Sequence, residues 1–213
     1  MSEPVTLPEP AERTPDERDA ARDRLGAALR GLLDGAVRTG ATADEIDAAA
    51  QTVTSLTERL TARPARHRPQ DTPFHPLSLV GGSAHPVGPQ LQFERTRDGV
   101  AGTVRLGPVF EGGPGLAHGG VVALLFDHAM GAAVYVAGSA AMTRTLDVVY
   151  LAPTPHGADL HISAKIERTD GRKIYTAAQL RHGDTVAATA TGLFIALTRD
   201  HVARIFRPGR PRP

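Results

Sequence analysis

The sequence predicts an α+β fold in which an antiparallel sheet curls around one long central helix, with a helical extension ahead of it. Three observations carry that expectation. From Gly120 to Ala137 nearly every residue is small or apolar, with Asp127 and His128 as the clear exceptions, and a helix apolar almost all round belongs inside a core. On both sides of it, segments alternate apolar and polar residues between glycine turn signals, the pattern of half-buried strands. Residues 16–63 carry apolar positions at helical spacing on a charged background.

Composition bounds the rest. The 213 residues, 41% hydrophobic and 22% charged, suffice for one ordinary domain with extra segments at its ends. Only 4% are aromatic and Trp is absent, so stacking platforms for bases or sugars are scarce. A net charge of +1 gives no global pull toward nucleic acid or a membrane surface. The lack of Cys removes disulfides, thiolate nucleophiles and Cys-ligated zinc, and it fits a reducing compartment. Met1 to Arg24 alternates acids and arginines without an apolar stretch, so no signal peptide is expected. The apolar 120–137 segment is a poor membrane span, with Asp127 near its centre and glycines at 119, 120, 131 and 138. A soluble, cytoplasmic protein is the expectation.

Taken in order, residues 1–15 are rich in Pro and Glu and are expected to be disordered. Residues 16–63 should form a helical hairpin. Leu25, Leu29, Leu32 and Leu33 stripe its first helix, Gly40 ends it, and Thr42-Ala-Asp-Glu45 caps a second helix bearing Ile46, Val53, Leu56 and Leu60. Residues 1–63 hold twelve acids against eight arginines, the wrong sign for a phosphate-binding surface, so a packing or dimer-covering hairpin is expected. Residues 64–76 read as a linker. In 77–198, Leu91 and Phe93 alternate with polar neighbours, Asp98-Gly99 turns the chain, and Val100, Gly102, Val104 and Leu106 alternate back, predicting a hairpin. A glycine-rich loop over Glu111 to Gly115 leads into the central helix, which should stop at Gly138-Ser139. Four strands follow in meander-like succession at about 142–151, 159–168, 173–182 and 185–198, the last one central. The tail 199–213, with five arginines and three prolines, is expected to fray.

One stretch is distinctive. Glu111-Gly-Gly-Pro-Gly-Leu-Ala-His118-Gly119-Gly120 precedes the apolar helix, Asp127 lies nine residues after His118, and Thr143 lies sixteen beyond Asp127. With Met142-Thr143, Tyr150-Leu-Ala-Pro153 and Asp170-Gly-Arg-Lys173, this region resembles the hotdog-fold acyl-CoA thioesterases. The nearest subgroups are the phenylacetate-pathway type and the mammalian thioesterase-superfamily-member proteins. The resemblance spans roughly 75–198 and leaves the N-terminal helices unmatched.

The resemblance implies a metal-free, cofactor-free hydrolysis of an acyl-CoA thioester at a site shared across a homodimer or tetramer interface. Gly119 would start the central helix with its N–H aimed at the thioester oxygen, since a helix N-terminus is a ready oxyanion hole. The missing Cβ at Gly119 and Gly120 lets substrate approach the backbone. Asp127, about 12 Å further along the helix, would serve a site completed by the partner subunit, as general base or as nucleophile through a mixed anhydride. Thr143 would orient the water or the carboxylate, and His118 would hold the loop and the carbonyl region. Arg172 and Lys173 would meet CoA phosphates. Some relatives carry an Asn six residues before the His. Here that position is Gly112, preceded by Glu111, which becomes a candidate for part of the same job.

Plainer readings stand beside these. Asp127 can be a structural carboxylate bonded to Thr143, His118 a helix cap, Arg172-Lys173 a solvated pair at a turn, and Glu111 loop surface. His128 beside Asp127 suggests a metal, but adjacent helical residues point about 100° apart and no third ligand is spaced to help. Two other functions fit the fold. One is a non-catalytic acyl-CoA-binding domain of a regulatory protein, which should carry a basic recognition helix that residues 16–63 do not offer. The other is a dehydratase or hydratase, whose catalytic set differs.

Overall fold

The computed structural model describes residues 4–7, 16–63 and 75–205. Most of the expected linker, and the tail beyond residue 205, lie outside them.

Helix α1, Glu17–Ala36, starts at a reciprocal cap in which Asp16 and Asp19 each accept the other's backbone N–H. It docks on the 75–91 loop rather than on a second helix. Gly26 makes this possible, because a Cβ there would lie 2.7 Å from the Ala84 carbonyl oxygen. Arg30 donates to the Ser83 and His85 carbonyls at 3.0 and 2.6 Å, and Ser83 donates to Asp23. Helix α2, Ala43–Thr61, has the predicted Thr42/Glu45 capping box but buries none of its residues. Ile46, Val53 and Leu60 stay exposed, so of the two roles expected for the hairpin, packing or dimer-covering, α2 does not fill the first within one chain.

The sheet begins with β1, Gln92–Arg95, and β2, Gly99–Arg105, joined at the predicted Asp98-Gly99 turn. A 3-10 turn over Pro108–Phe110 then leads to a small hairpin inside the glycine-rich stretch, β3, Glu111–Gly113, and β4, Leu116–Ala117. Helix α3, Gly119–Val136, follows. It ends as predicted at Gly138, whose φ of +81° suits glycine. There Ser139 N–H reaches the Val134 carbonyl and Gly138 N–H the Tyr135 carbonyl, a Schellman motif. Strands β5, Ala141–Tyr150, β6, Asp159–Asp170, β7, Lys173–His182, and β8, Thr185–Ala196, complete the sheet. A short helix α4, Arg199–Ile205, replaces the fraying expected at the start of the tail. Residues 4–7, expected to be disordered, run beside the sheet end, with Val5 N–H on the Leu197 carbonyl and Leu7 N–H on the Gly138 carbonyl.

Sheet order is β1-β2-β6-β7-β8-β5, antiparallel at every pair. As predicted, β8 lies inside the sheet. The meander expectation holds for β6, β7 and β8 but fails for β5, which takes the far edge beyond β8. The chain then crosses back past β8 and β7 to lay β6 against β2. The concave face wraps α3, whose Val122, Leu125, Phe126 and Met130 pack with Leu160, Ile162 and Phe194. Each such fully buried side chain contributes about 1.5–3 kcal/mol. By length and composition alone α3 could cross a membrane, yet these side chains are spent on the core.

Candidate functional site

Two features at opposite ends of β5 hold the side chains singled out by the sequence. The first is the start of α3. His118 is its N-cap, and its Nδ1 accepts the Gly120 N–H at 3.0 Å. The next two N–H groups, of Val121 and Val122, both turn to the His118 carbonyl, at 2.9 and 3.2 Å. The Val122 bond is the first regular turn of the helix; of the four N–H groups before it, which have no such partner, His118 takes the Phe110 carbonyl, Gly120 the His118 ring and Val121 the His118 carbonyl. The Gly119 N–H alone remains without an acceptor among the described residues. Gly119 thus occupies the first helical position with its N–H unspent, while Gly120 gives its N–H to the His118 cap.

The second feature is the Asp127–Thr143 pair. Thr143 Oγ1 donates to Asp127 Oδ1 at 2.7 Å, and Oδ2 has no partner among the described residues. Asp127 is half-buried rather than enclosed, because it leaves α3 on the side of the sheet's open edge. Its neighbour His128 leaves on the other side and stacks on Phe93 of β1, with ring centroids 5.6 Å apart. Burial pushes the His128 imidazole down to about 4, only partly offset by the Asp127 charge. Its Nε2 is buried without a hydrogen-bond partner among the described residues. Among the described residues no three His, Cys, Asp or Glu side chains converge as metal ligands.

A bulge connects the two features. Thr143 pairs with Phe194 and Thr145 with Leu193, so Arg144 is an extra residue in β5. Strand side chains alternate faces, and seven residues of regular strand would put Thr143 and Tyr150 on opposite sides. The extra residue brings both to the α3 face. There the Tyr150 hydroxyl donates to the Gly119 carbonyl at 2.8 Å. Nothing local to residue 150 announces a contact with residue 119, so the sequence alone assigns Tyr150 no role.

The remaining candidates lie apart. A Cβ on Gly112 would sit 2.7 Å from the His118 Cα, so this backbone has no room for an Asn at that position. Glu111 Oε1 accepts the Gly115 N–H at 2.6 Å and lies 3.6 Å from His156 Nε2, bracing the glycine-rich hairpin. Arg172 spends its Nε on the Ala196 carbonyl and sets Nη2 3.2 Å from His201 Nδ1. Lys173 pairs in register with Ile195, one step out of phase with the buried Phe194, and so faces away from α3. Within one chain neither basic residue joins Asp127.

The family profile described as Thioesterase superfamily matches residues 114–189, a span running from the glycine-rich hairpin into β8. The chain is 46% identical over 94 residues to acyl-coenzyme A thioesterase THEM4 of Xenopus laevis, 43% of this chain and 42% of that one. It is 34% identical over 93 residues to acyl-coenzyme A thioesterase THEM5 of Mus musculus, 43% of this chain and 38% of that one. The match thus spans less than half the length of these curated relatives. A crystal structure of a thioesterase superfamily protein superimposes with a TM-score of 0.75 at 30% identity, covering 92% of this chain and 97% of the other. That coverage takes in the N-terminal helices, which the sequence resemblance left unmatched, along with the hotdog sheet and helix.

Proposed function

The chain belongs to the thioesterase superfamily, and from that premise we propose that it hydrolyses an acyl-CoA thioester to a free acid and CoA. The observation that carries this reading is the pairing of one unspent helix-terminal donor, the Gly119 N–H, with one carboxylate held by a hydroxyl, Asp127 on Thr143. The first suits the oxygen of a thioester carbonyl as it takes on negative charge. The second suits a water or the carbonyl carbon, through Asp127 Oδ2.

These groups lie about 12 Å apart along α3, too far to act on one carbonyl within a chain. Strand β5 supplies the remedy. It is a ten-residue edge strand, and its Met142, Val149 and Tyr150 are each more than half exposed. A long, partly apolar edge is a template for pairing with another strand. Antiparallel pairing of β5 with its own copy, centred between Leu146 and Asp147, would set Thr143 of one subunit opposite Tyr150 of the other. The Asp127–Thr143 pair of each subunit would then face the Gly119 N–H of its partner, in a homodimer with two sites.

In the reaction, water adds to the thioester carbon as Asp127 takes its proton, and the developing oxyanion is met by Gly119. The C–S bond then breaks, and the CoA thiolate leaves to be protonated. In the covalent variant Asp127 Oδ2 itself adds, and water resolves the mixed anhydride; the same atoms serve both. CoA phosphates would meet Lys173 and the free edge of Arg172 from outside the sheet.

Thiol release from short, long and aryl acyl-CoAs, with wild type and Asp127→Asn, tests the proposal. Turnover that collapses in the variant supports it. Tight acyl-CoA binding without turnover in either protein would replace it with a binding module.

A further inference from the structure

We propose that Tyr150 is a positioning residue that sets both hydrogen-bond donors at the start of α3; the inference rests on the thioesterase reading and deepens it. The start of the helix is two successive glycines, the residues with the most backbone freedom, at the place where the one unspent N–H must be aimed. The peptide plane joining Gly119 to Gly120 is held at both ends. Its carbonyl accepts the Tyr150 hydroxyl at 2.8 Å, and its N–H donates to His118 Nδ1 at 3.0 Å. A peptide is planar, so fixing that plane fixes ψ of Gly119. The preceding plane is fixed by the His118 carbonyl, which accepts from Val121 and Val122. The Gly119 N–H lies in that preceding plane, so the Tyr150 bond acts on it at one remove, by fixing the plane on the other side of the Gly119 Cα and with it the His118 ring that caps the turn.

The same plane reaches the imidazole. A neutral His118 whose Nδ1 accepts a backbone N–H carries its proton on Nε2. The run from Tyr150 O–H through the Gly119–Gly120 peptide to His118 Nδ1 is a chain of hydrogen bonds that polarise one another. It leaves the ring proton on Nε2, a second donor at the start of α3, where Gly112 supplies no side chain. The ring of Tyr150 also lies over Gly119, with atoms 3.4–3.5 Å from where a Cβ would stand. This side chain is more than half exposed in one chain, so burial of its hydroxyl does not explain the bond.

Tyr150→Phe in the full-length protein keeps the ring and removes the bond. Acyl-CoA turnover should show kcat lower by about tenfold, the scale of one hydrogen bond, with KM within about twofold. The ¹⁵N shifts of His118 should move from a single Nε2–H tautomer toward a mixture. Unchanged kcat in an active protein, a rise in KM alone, or unmoved His118 shifts would each overturn the positioning role while leaving the thioesterase reading intact. Absence of turnover in the wild type would overturn the thioesterase reading, and the His118 shifts would then decide the role of Tyr150 alone.

Discussion

Thr143 on edge strand β5 and Asp127 on helix α3 are joined by a 2.7 Å hydrogen bond from hydroxyl to carboxylate. Removing either end should reduce turnover without unfolding the core, because both side chains lie on its open side. Asp127→Asn keeps the volume and removes the proposed base or nucleophile, and kcat should fall by about 10²–10⁴-fold. Thr143→Val loses only the orienting hydroxyl and should cost less, with Thr143→Ser restoring most of it. Steady-state kinetics on the three variants check the order.

The Gly119 donor can be deleted with little disturbance to the helix. Proline is favoured at the first helical position because that N–H has no intrahelical partner. His118 already has φ −64° and ψ 132°, the extended conformation that a following proline requires. Gly119→Pro should therefore melt close to wild type while kcat falls by about 10²–10³-fold, the range for one oxyanion donor. A fully active variant would remove the Gly119 N–H from the mechanism.

Much of this site could be read in the chain because its parts are local. The His118-Gly119-Gly120 start, the apolar run behind it and the spacing to Asp127 all lie on one helix, and strand alternation with glycine turns marks β1, β2, β6, β7 and β8. What stayed hidden depends on long-range placement. Periodicity gives a strand its faces but not its neighbour, so β5 passed for a meander strand instead of the edge. The extra residue at Arg144 is invisible without the Phe194 and Leu193 pairings, and with it went the shared face of Thr143 and Tyr150. Helix α2 has an apolar stripe that reads as packed, although one chain leaves it exposed.

Gly112 should resist substitution for a steric reason. An added Cβ would stand 2.7 Å from the His118 Cα, a backbone atom that cannot rotate away. Gly112→Ala should destabilise by about 1–3 kcal/mol, as overpacking does, and lower kcat by displacing the His118 cap. Gly112→Asn should be no better. Thermal melts alongside kinetics check it, and an unperturbed, more active Asn variant would contradict the geometry.

His128 should make stability depend on pH. Folding holds its imidazole neutral down to about pH 4 against an ordinary value of 6.5, so unfolding takes up a proton between those values. The stability gained by keeping the ring neutral is complete above about pH 6.5 and is lost as pH falls toward 4, by up to about 3 kcal/mol. His128→Phe keeps an aromatic ring against Phe93 and cannot titrate, so its denaturant midpoint should fall less between pH 7 and 4.5. Parallel curves for the two proteins would mean that the ring protonates normally in the fold.

The proposed shared site makes a sharper demand, because it predicts activity from two inactive proteins. Asp127→Asn ruins the carboxylate and Gly119→Pro the donor. Within a homodimer of either variant, both sites are defective. In a mixed dimer whose sites are built across β5, one site receives both changes and the other neither. Random exchange makes half the dimers mixed, each with one of two sites intact, so the mixture should recover about a quarter of wild-type turnover. Unfolding and refolding the two variants together, then assaying thiol release, measures this directly. Were Asp127 and Gly119 of the same chain to act on one thioester, every site in the mixture would be defective and no activity would return.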